Sequence, residues 1–317
     1  MTHRKLWLNL IRVALSLLAL VILLNLVGGA DEVLREMQDA RWLLLGLACV
    51  LFVAGIVIRA YRWRALLRGL DLHPPFRHLL ELYFVGSFFN TFLPSGFGGD
   101  AVRILELAQG EQEAAAVGTV LVDRMTGLLS SMALGLLVLP FAVGLPGWLA
   151  WLYAGVSGGG LLAGFLLLEG RLLRRLTARL PGALSLAGQG KLAQIYAAVT
   201  GAGWGAIGGA LALSTLFNGV NIVIHWLCAR AVGIDVGLAF YFVATPLLSL
   251  TLLLPISVGG LGARDGVAQV LFHAVGVSQS AALAMSLSVY LVTAASSAGG
   301  GLVYLVRTIM RLQYDQV

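Results

Sequence analysis

Three charged pairs stand in or beside apolar runs of this 317-residue chain: Asp100 with Arg103, Asp123 with Arg124, and Arg264 with Asp265. Arginine can clamp a phosphate through two parallel hydrogen bonds, which lysine's point charge cannot do. Two of the pairs follow related segments, Leu93-Pro94-Ser95-Gly96-Phe97-Gly98-Gly99-Asp100 and Leu254-Pro255-Ile256-Ser257-Val258-Gly259-Gly260-Leu261-Gly262-Ala263-Arg264-Asp265. Backbone amides at a helix start favour an anion, so Gly98 and Gly99 with Arg103 could hold a phosphate. Asp100 would then orient Arg103 or pair with an ammonium group. Ser95, Ser257, Gly259 and Gly260 belong to the same candidate site, as do Arg264 and Asp265, which repeat the charges in reversed order. A simpler reading stays open for each aspartate, namely a carboxylate favouring a helix N-terminus and pairing locally with its arginine.

Asp123 and Arg124 fall about nine residues into an apolar segment, where an ionisable side chain marks an interior, either a functional cavity or a structural ion pair. Adjacent residues on a helix do not face each other. Each therefore needs a partner elsewhere, and Asp100 is the expected partner of Arg124. Asn218, Asn221 and His225 recur at spacings of three and four on one helical face. Hydrogen bonding between helices explains that face, and a proton-relay role for His225 is the functional alternative. No carboxylate or second histidine stands beside His225 at metal-ligand spacing, so no metal and no cofactor are expected.

The elements that must position these residues are membrane helices. Hydrophobic residues make up 59% of the chain, charged residues 11%, and the mean hydropathy is +0.91, which excludes an ordinary soluble domain. The net charge of +6 is accounted for by membrane orientation and does not argue for nucleic acid. Cys49 and Cys228 sit in apolar runs as small hydrophobes. Six long apolar segments are expected to span: Leu6 to Gly28, Trp42 to Ile58, Ala114 to Phe141, Trp148 to Leu168, Trp204 to Cys228 and Ser280 to Val306. Phe76 to Pro94 and Leu238 to Pro255 each run into a proline-glycine break. The stretches after the breaks, Ala101 to Gln109 and Gly266 to Val275, are too short to cross a core of about 30 Å. Each break therefore reads as a re-entrant hairpin or a helix broken at the motif.

Basic clusters at Arg4, Lys5 and Arg12, at Arg59, Arg62, Arg64 and Arg68, at Arg171, Arg174, Arg175 and Arg179, and at Arg307 and Arg311 mark one side of the membrane. The acidic loop Asp31, Glu32, Glu36, Asp39 falls on the other. Six spans with two non-crossing hairpins satisfy this pattern, with both termini cytoplasmic. The fold class is thus an all-α integral membrane protein, one polytopic domain over residues 1–317. It is organised as an inverted repeat with halves near 42–143 and 204–307 and a basic amphipathic linker over 169–200. Interrupted segments at corresponding places in two halves point to a transporter-like site at the repeat interface.

The two Pro-Gly-Gly segments, with Asn90 upstream and Asp123-Arg124 downstream, resemble the flippase-like transmembrane domain of lysylphosphatidylglycerol synthases, over nearly the whole chain. The resemblance implies a helical membrane fold and movement of lipids, best known for aminoacylated phosphatidylglycerol. The soluble aminoacyl-transferase domain of the bifunctional members is absent from this sequence, so lipid aminoacylation is not expected. Family members often carry an arginine after a tyrosine in the last span; here Tyr290 is followed by Leu291.

Two functional classes follow. The first is a lipid translocase in a bacterial-type cytoplasmic membrane, moving an anionic or aminoacylated phospholipid or polyprenyl-type lipid, with membrane lipids and a separate lipid-modifying enzyme as partners. The second is an integral-membrane transferase or phosphatase, or an accessory subunit, acting on lipid-linked cell-envelope precursors. No Asp-x-x-Asp, His/Cys cluster or nucleotide-binding loop is present, which favours transport without direct ATP use. Oligomeric state, lipid identity and direction are not fixed by the sequence.

Overall fold

A computed structural model of the chain describes residues 18, 21–22, 24–25, 30–93, 98–107, 113–142, 144–179, 185–186, 188–252 and 260–314. Among the described residues the regular structure is helical. The helices are α1 (Ala30–Gln38), α2 (Trp42–Arg68), α3 (Phe76–Phe92), α4 (Gly98–Leu107), α5 (Glu113–Val138), α6 (Gly147–Glu169), α7 (Arg171–Thr177), α8 (Lys191–Gly201), α9 (Gly203–Ala231), α10 (Leu238–Thr251), α11 (Ala263–His273) and α12 (Gln279–Tyr314). Local chemistry sets several boundaries. Pro75 and Pro146 sit immediately before α3 and α6, and Gly170 ends α6 in the left-handed conformation at φ 82°.

Five of these helices, α2, α5, α6, α9 and α12, are long and apolar enough to cross a membrane. They correspond to five of the six expected spans; most of the sixth, Leu6 to Gly28, lies outside the described residues. Two expectations need correction. The acidic stretch from Asp31 is helix α1 rather than a loop, because Val33 and Met37, four residues apart, anchor it to the apolar core. The second span does not stop at Ile58 but continues to Arg68, so Arg59 and Arg62 lie within a helix and Arg62 is only 4% exposed. Seventeen residues, at about 1.5 Å each, fall short of the hydrocarbon thickness, and the helix needs the additional turns.

The helices on either side of each Pro-Gly-Gly segment run antiparallel. Gly99 on α4 lies against the backbone of Gly86 on α3, thirteen residues earlier, a contact that a helix continuing in one direction does not make. In the second hairpin Phe240, at the start of α10, stacks edge-on against Phe272, at the end of α11, with ring centroids 5.0 Å apart. Both pairs are therefore antiparallel helical hairpins.

The hairpins are seated reciprocally. α2 packs along α9; α3 packs on α12 while α10 packs on α5; α4 rests on α5 as α11 rests on α12. The α3–α12 contact is close, since a Cβ at Gly300 would collide with the backbone of Phe84. Thr91 and Ser297 meet there at 3.3 Å. Between the two sets, α8 packs on α5, where Gly118 faces Ala198, and Tyr196 Oη donates to the Leu167 carbonyl at 2.9 Å.

Candidate functional site

Arg59 and Arg62 stand on one face of α2, three residues apart, and point toward the first hairpin and α5. Arg62 Nε donates to Asp123 Oδ1 at 2.6 Å, and its Nη1 donates to Ser214 Oγ on α9 at 3.1 Å. Asp123 is 1% exposed. Its other oxygen accepts from Tyr83 Oη at 2.6 Å and from Arg103 Nη2 at 3.0 Å. Arg103 continues to Asp100 Oδ1 at 3.3 Å, and Asp100 Oδ2 accepts from Arg124 Nε. The result is an alternating string, Arg62–Asp123–Arg103–Asp100–Arg124, that ties α2, α4 and α5 together, with α3 joined to it through Tyr83.

Two aromatic rings flank the central arginine. The Arg103 guanidinium carbon lies 4.2 Å and 4.1 Å from the ring centroids of Trp63 and Tyr83, which meet edge-on at 81°, so it sits in the corner they form. Trp63 is held in turn by its indole N–H donating to Thr119 Oγ1 at 3.2 Å. A buried pair of this kind gains little over an apolar replacement, but removing one partner strands a charge and costs about 3–5 kcal/mol.

The second hairpin is built differently. Asp265 Oδ2 accepts from the Gly262 N–H at 2.8 Å, and Asp265 Oδ1 accepts from Ser286 Oγ at 2.5 Å. Asp265 thus caps the start of α11 and docks it on α12. Arg264 donates from Nε to Ser286 Oγ at 3.2 Å and from Nη2 to the Ser286 carbonyl at 2.9 Å, and lies 3.8 Å from Asp265.

Between the halves is a cavity of about 340 Å³ lined by α2, α3, α4 and α5 on one side and by α9, α10, α11 and α12 on the other. Its cations are Arg59, Arg62, Arg103, Arg124 and Arg264, and its lining carboxylates are Asp100 and Asp123.

Of the residues expected at the site, Asn90, Asp100, Arg103, Asp123, Arg124, Asn221, His225, Gly260 and Arg264 all reach this cavity. Gly98, Gly99 and Asp265 are not among its lining residues, and Ser95, Ser257 and Gly259 lie outside the described residues. The Gly99 amide is already taken, donating to Asn90 Oδ1 at 2.7 Å, so Asn90 serves the hairpin itself. Arg124 pairs with Asp100 as expected. Asn218 donates to the Gly127 carbonyl at 2.8 Å, which is the interhelical bond that one reading of its face called for. His225 Nδ1 donates to the Asn221 carbonyl at 2.9 Å, leaving Nε2 to the cavity.

The described geometry agrees with comparison to known proteins: the lysylphosphatidylglycerol synthase transmembrane region family matches residues 9–299. The chain belongs to this family. It is also similar to two UPF0104 membrane proteins. One, from Pyrococcus horikoshii, is 23% identical over 142 residues, covering 44% of this chain and 42% of that protein. The other, from Methanothermobacter thermautotrophicus, is 30% identical over 102 residues, covering 31% of this chain and 29% of that protein. The matches therefore span less than half the length of either relative. Family and helices together make this a multi-pass membrane protein.

In this member of the synthase transmembrane family, sequence reasoning missed Arg59, Arg62, Tyr83, Ser214 and Phe217. In the sequence, Arg59 and Arg62 read as part of a basic cluster marking one side of the membrane. Two signals pointed inward: a preceding apolar run too short to span, and a buried Asp123 on α5 that required a cation. Tyr290 also lines the cavity, and Leu291, at the position where the family often has arginine, is 40% exposed, so the cations come from elsewhere.

Proposed function

We propose that this chain is a lipid translocase that moves an anionic or aminoacylated phospholipid or polyprenyl-type lipid between leaflets without changing it covalently. The observation that carries this reading is the arginine-rich cavity placed between two reciprocally packed sets of four helices. A cavity of about 340 Å³ suits a phosphate headgroup and its immediate substituent, within the usual range for small-ligand sites, while acyl chains remain in the bilayer. The two hairpins enter the membrane from opposite sides as an inverted repeat, with the site between them.

The lining carboxylates favour transport over chemistry. Both oxygens of Asp100 and both of Asp123 already accept from arginine or tyrosine, which leaves neither poised as a general base. The proposed setting is a bacterial-type cytoplasmic membrane with both termini cytoplasmic, where a separate enzyme makes the lipid.

Reconstitution tests the proposal. Purified protein in vesicles bearing a labelled lipid in one leaflet is expected to speed the loss of asymmetry, and Arg264→Lys is expected to slow it. Conversion of the lipid to a new covalent product, without faster exchange, would overturn the translocase reading in favour of an enzyme.

A further inference from the structure

Resting on the reading of this cavity as a headgroup site, we infer that its ligand is a lipid phosphate carrying no cationic substituent, seated between Arg59 of the first half and Arg264 of the second. Five arginines meet at the cavity wall, and Asp265 behind Arg264 brings the carboxylates to three, which leaves two positive charges without a counter-ion. One of the two belongs to the string, where Arg62, Arg103 and Arg124 share only Asp123 and Asp100, and the other is Arg59. Among the described residues no carboxylate lies within ion-pair distance of Arg59. Its polar contacts are long, Nε to the Gly55 carbonyl at 3.4 Å and Nη2 to Ser87 Oγ at 3.5 Å, and Phe217 covers its face with the ring centroid at 4.9 Å. Arg264 spends Nε and Nη2 on Ser286 and lies 3.8 Å from an aspartate already engaged by Gly262 and Ser286. The Nη1 groups of Arg59 and Arg264 donate to no described residue, and both arginines line the cavity.

The same accounting disfavours an ammonium. Each of the six oxygens of Asp100, Asp123 and Asp265 already accepts from at least one of the protein's own donors, and the five arginines outnumber the three carboxylates. What remains for an ammonium are neutral acceptors, the His225 Nε2 and the Asn221 amide, which form hydrogen bonds but offset no charge. Adding positive groups to a site already two charges in excess is opposed by Coulomb repulsion at low effective dielectric. The shape-independent part of recognition therefore selects an anionic phosphate and discriminates against its aminoacylated form.

Binding and transport are to be measured separately. Thermal stabilisation of the detergent-solubilised protein is titrated with dihexanoyl phosphatidylglycerol, its lysyl ester, and dihexanoyl phosphatidylcholine. The anionic lipid is expected to bind roughly tenfold or more tightly than either other lipid, and Arg59→Gln or Arg264→Gln to erase most of that preference. Equal or tighter binding of the lysyl ester by the unaltered protein, or no binding of the anionic lipid, overturns the inference even if either variant fails to fold. The same lipids with long labelled chains are then followed in proteoliposomes. Anion preference in binding without leaflet exchange of any lipid would sink the translocase proposal while leaving the phosphate seat intact.

Discussion

Arg62 of α2 and Asp123 of α5 face each other at 2.6 Å across 61 residues of sequence, both almost wholly buried. That contact, with Tyr83 and Arg103 arriving on the other carboxylate oxygen, makes Asp123 the point where four helices of the first half are joined.

Asp123→Asn keeps the volume but removes the charge that two arginines share. The expected loss is about 3–5 kcal/mol, the cost of breaking a buried pair from one side. Tyr83→Phe, which removes one hydrogen bond to the same carboxylate, is expected to cost about 1–3 kcal/mol. Thermal melting in detergent checks the order; Tyr83→Phe proving the more damaging of the two would contradict the hub assignment.

Arg103→Lys tests shape as opposed to charge. The guanidinium sits in the corner between the Trp63 and Tyr83 rings while reaching both Asp100 and Asp123 through separate nitrogens, whereas an ammonium bonds as a point. A drop in melting temperature corresponding to about 1–3 kcal/mol is expected, beyond any effect on transport. A lysine variant as stable as the parent would show that the guanidinium's shape contributes nothing.

Gly99→Ala is expected to disrupt the first hairpin, because the new methyl would collide with the Gly86 carbonyl, a backbone atom that can move only by separating α3 from α4. Gly98→Ala meets the tip of the Leu93 side chain at 3.0 Å, which can rotate away. Overpacking of the first kind costs about 1–3 kcal/mol or more. Comparable folded yields for the two variants would argue against the close approach.

The hairpins were legible because a proline followed closely by paired glycines recurs in two apolar runs, whereas glycine runs without proline, as at residues 158–160 and 299–301, stay within helices; four of the five described spans were legible by length alone. Arg59 and Arg62 were not, because counting basic residues as markers of a membrane face presumes that arginine follows a helix, and here it completes one. The partner of Arg62 on α5 is set by packing, which local spacing does not encode. Asp265 shows the converse limit: a carboxylate two residues into a helix suits a ligand and a cap equally, and only the positions of Gly262 and Ser286 separate the two.

Sidedness labelling tests the re-entrant arrangement. Single cysteines replacing Phe76, at the start of α3, and Gly110, three residues past the end of α4, in a chain freed of Cys49 and Cys228, are expected to react with an impermeant thiol reagent from the same side of the membrane. Labelling from opposite sides would mean that the first hairpin crosses.

The separation between Arg62 and Asp123 also orders biogenesis. At about 5–20 residues per second, the 61 residues between them take about 3–12 seconds to synthesise, during which α2 has left the ribosome with its guanidinium uncompensated. An unpaired arginine is costly within the hydrocarbon, and Arg62 lies six residues from the end of α2, so this end of α2 is best placed at the aqueous boundary until its partner is made. The Arg62–Asp123 contact can form only once α5 has been made, so a nascent chain stalled before residue 123 lacks the carboxylate that compensates Arg62.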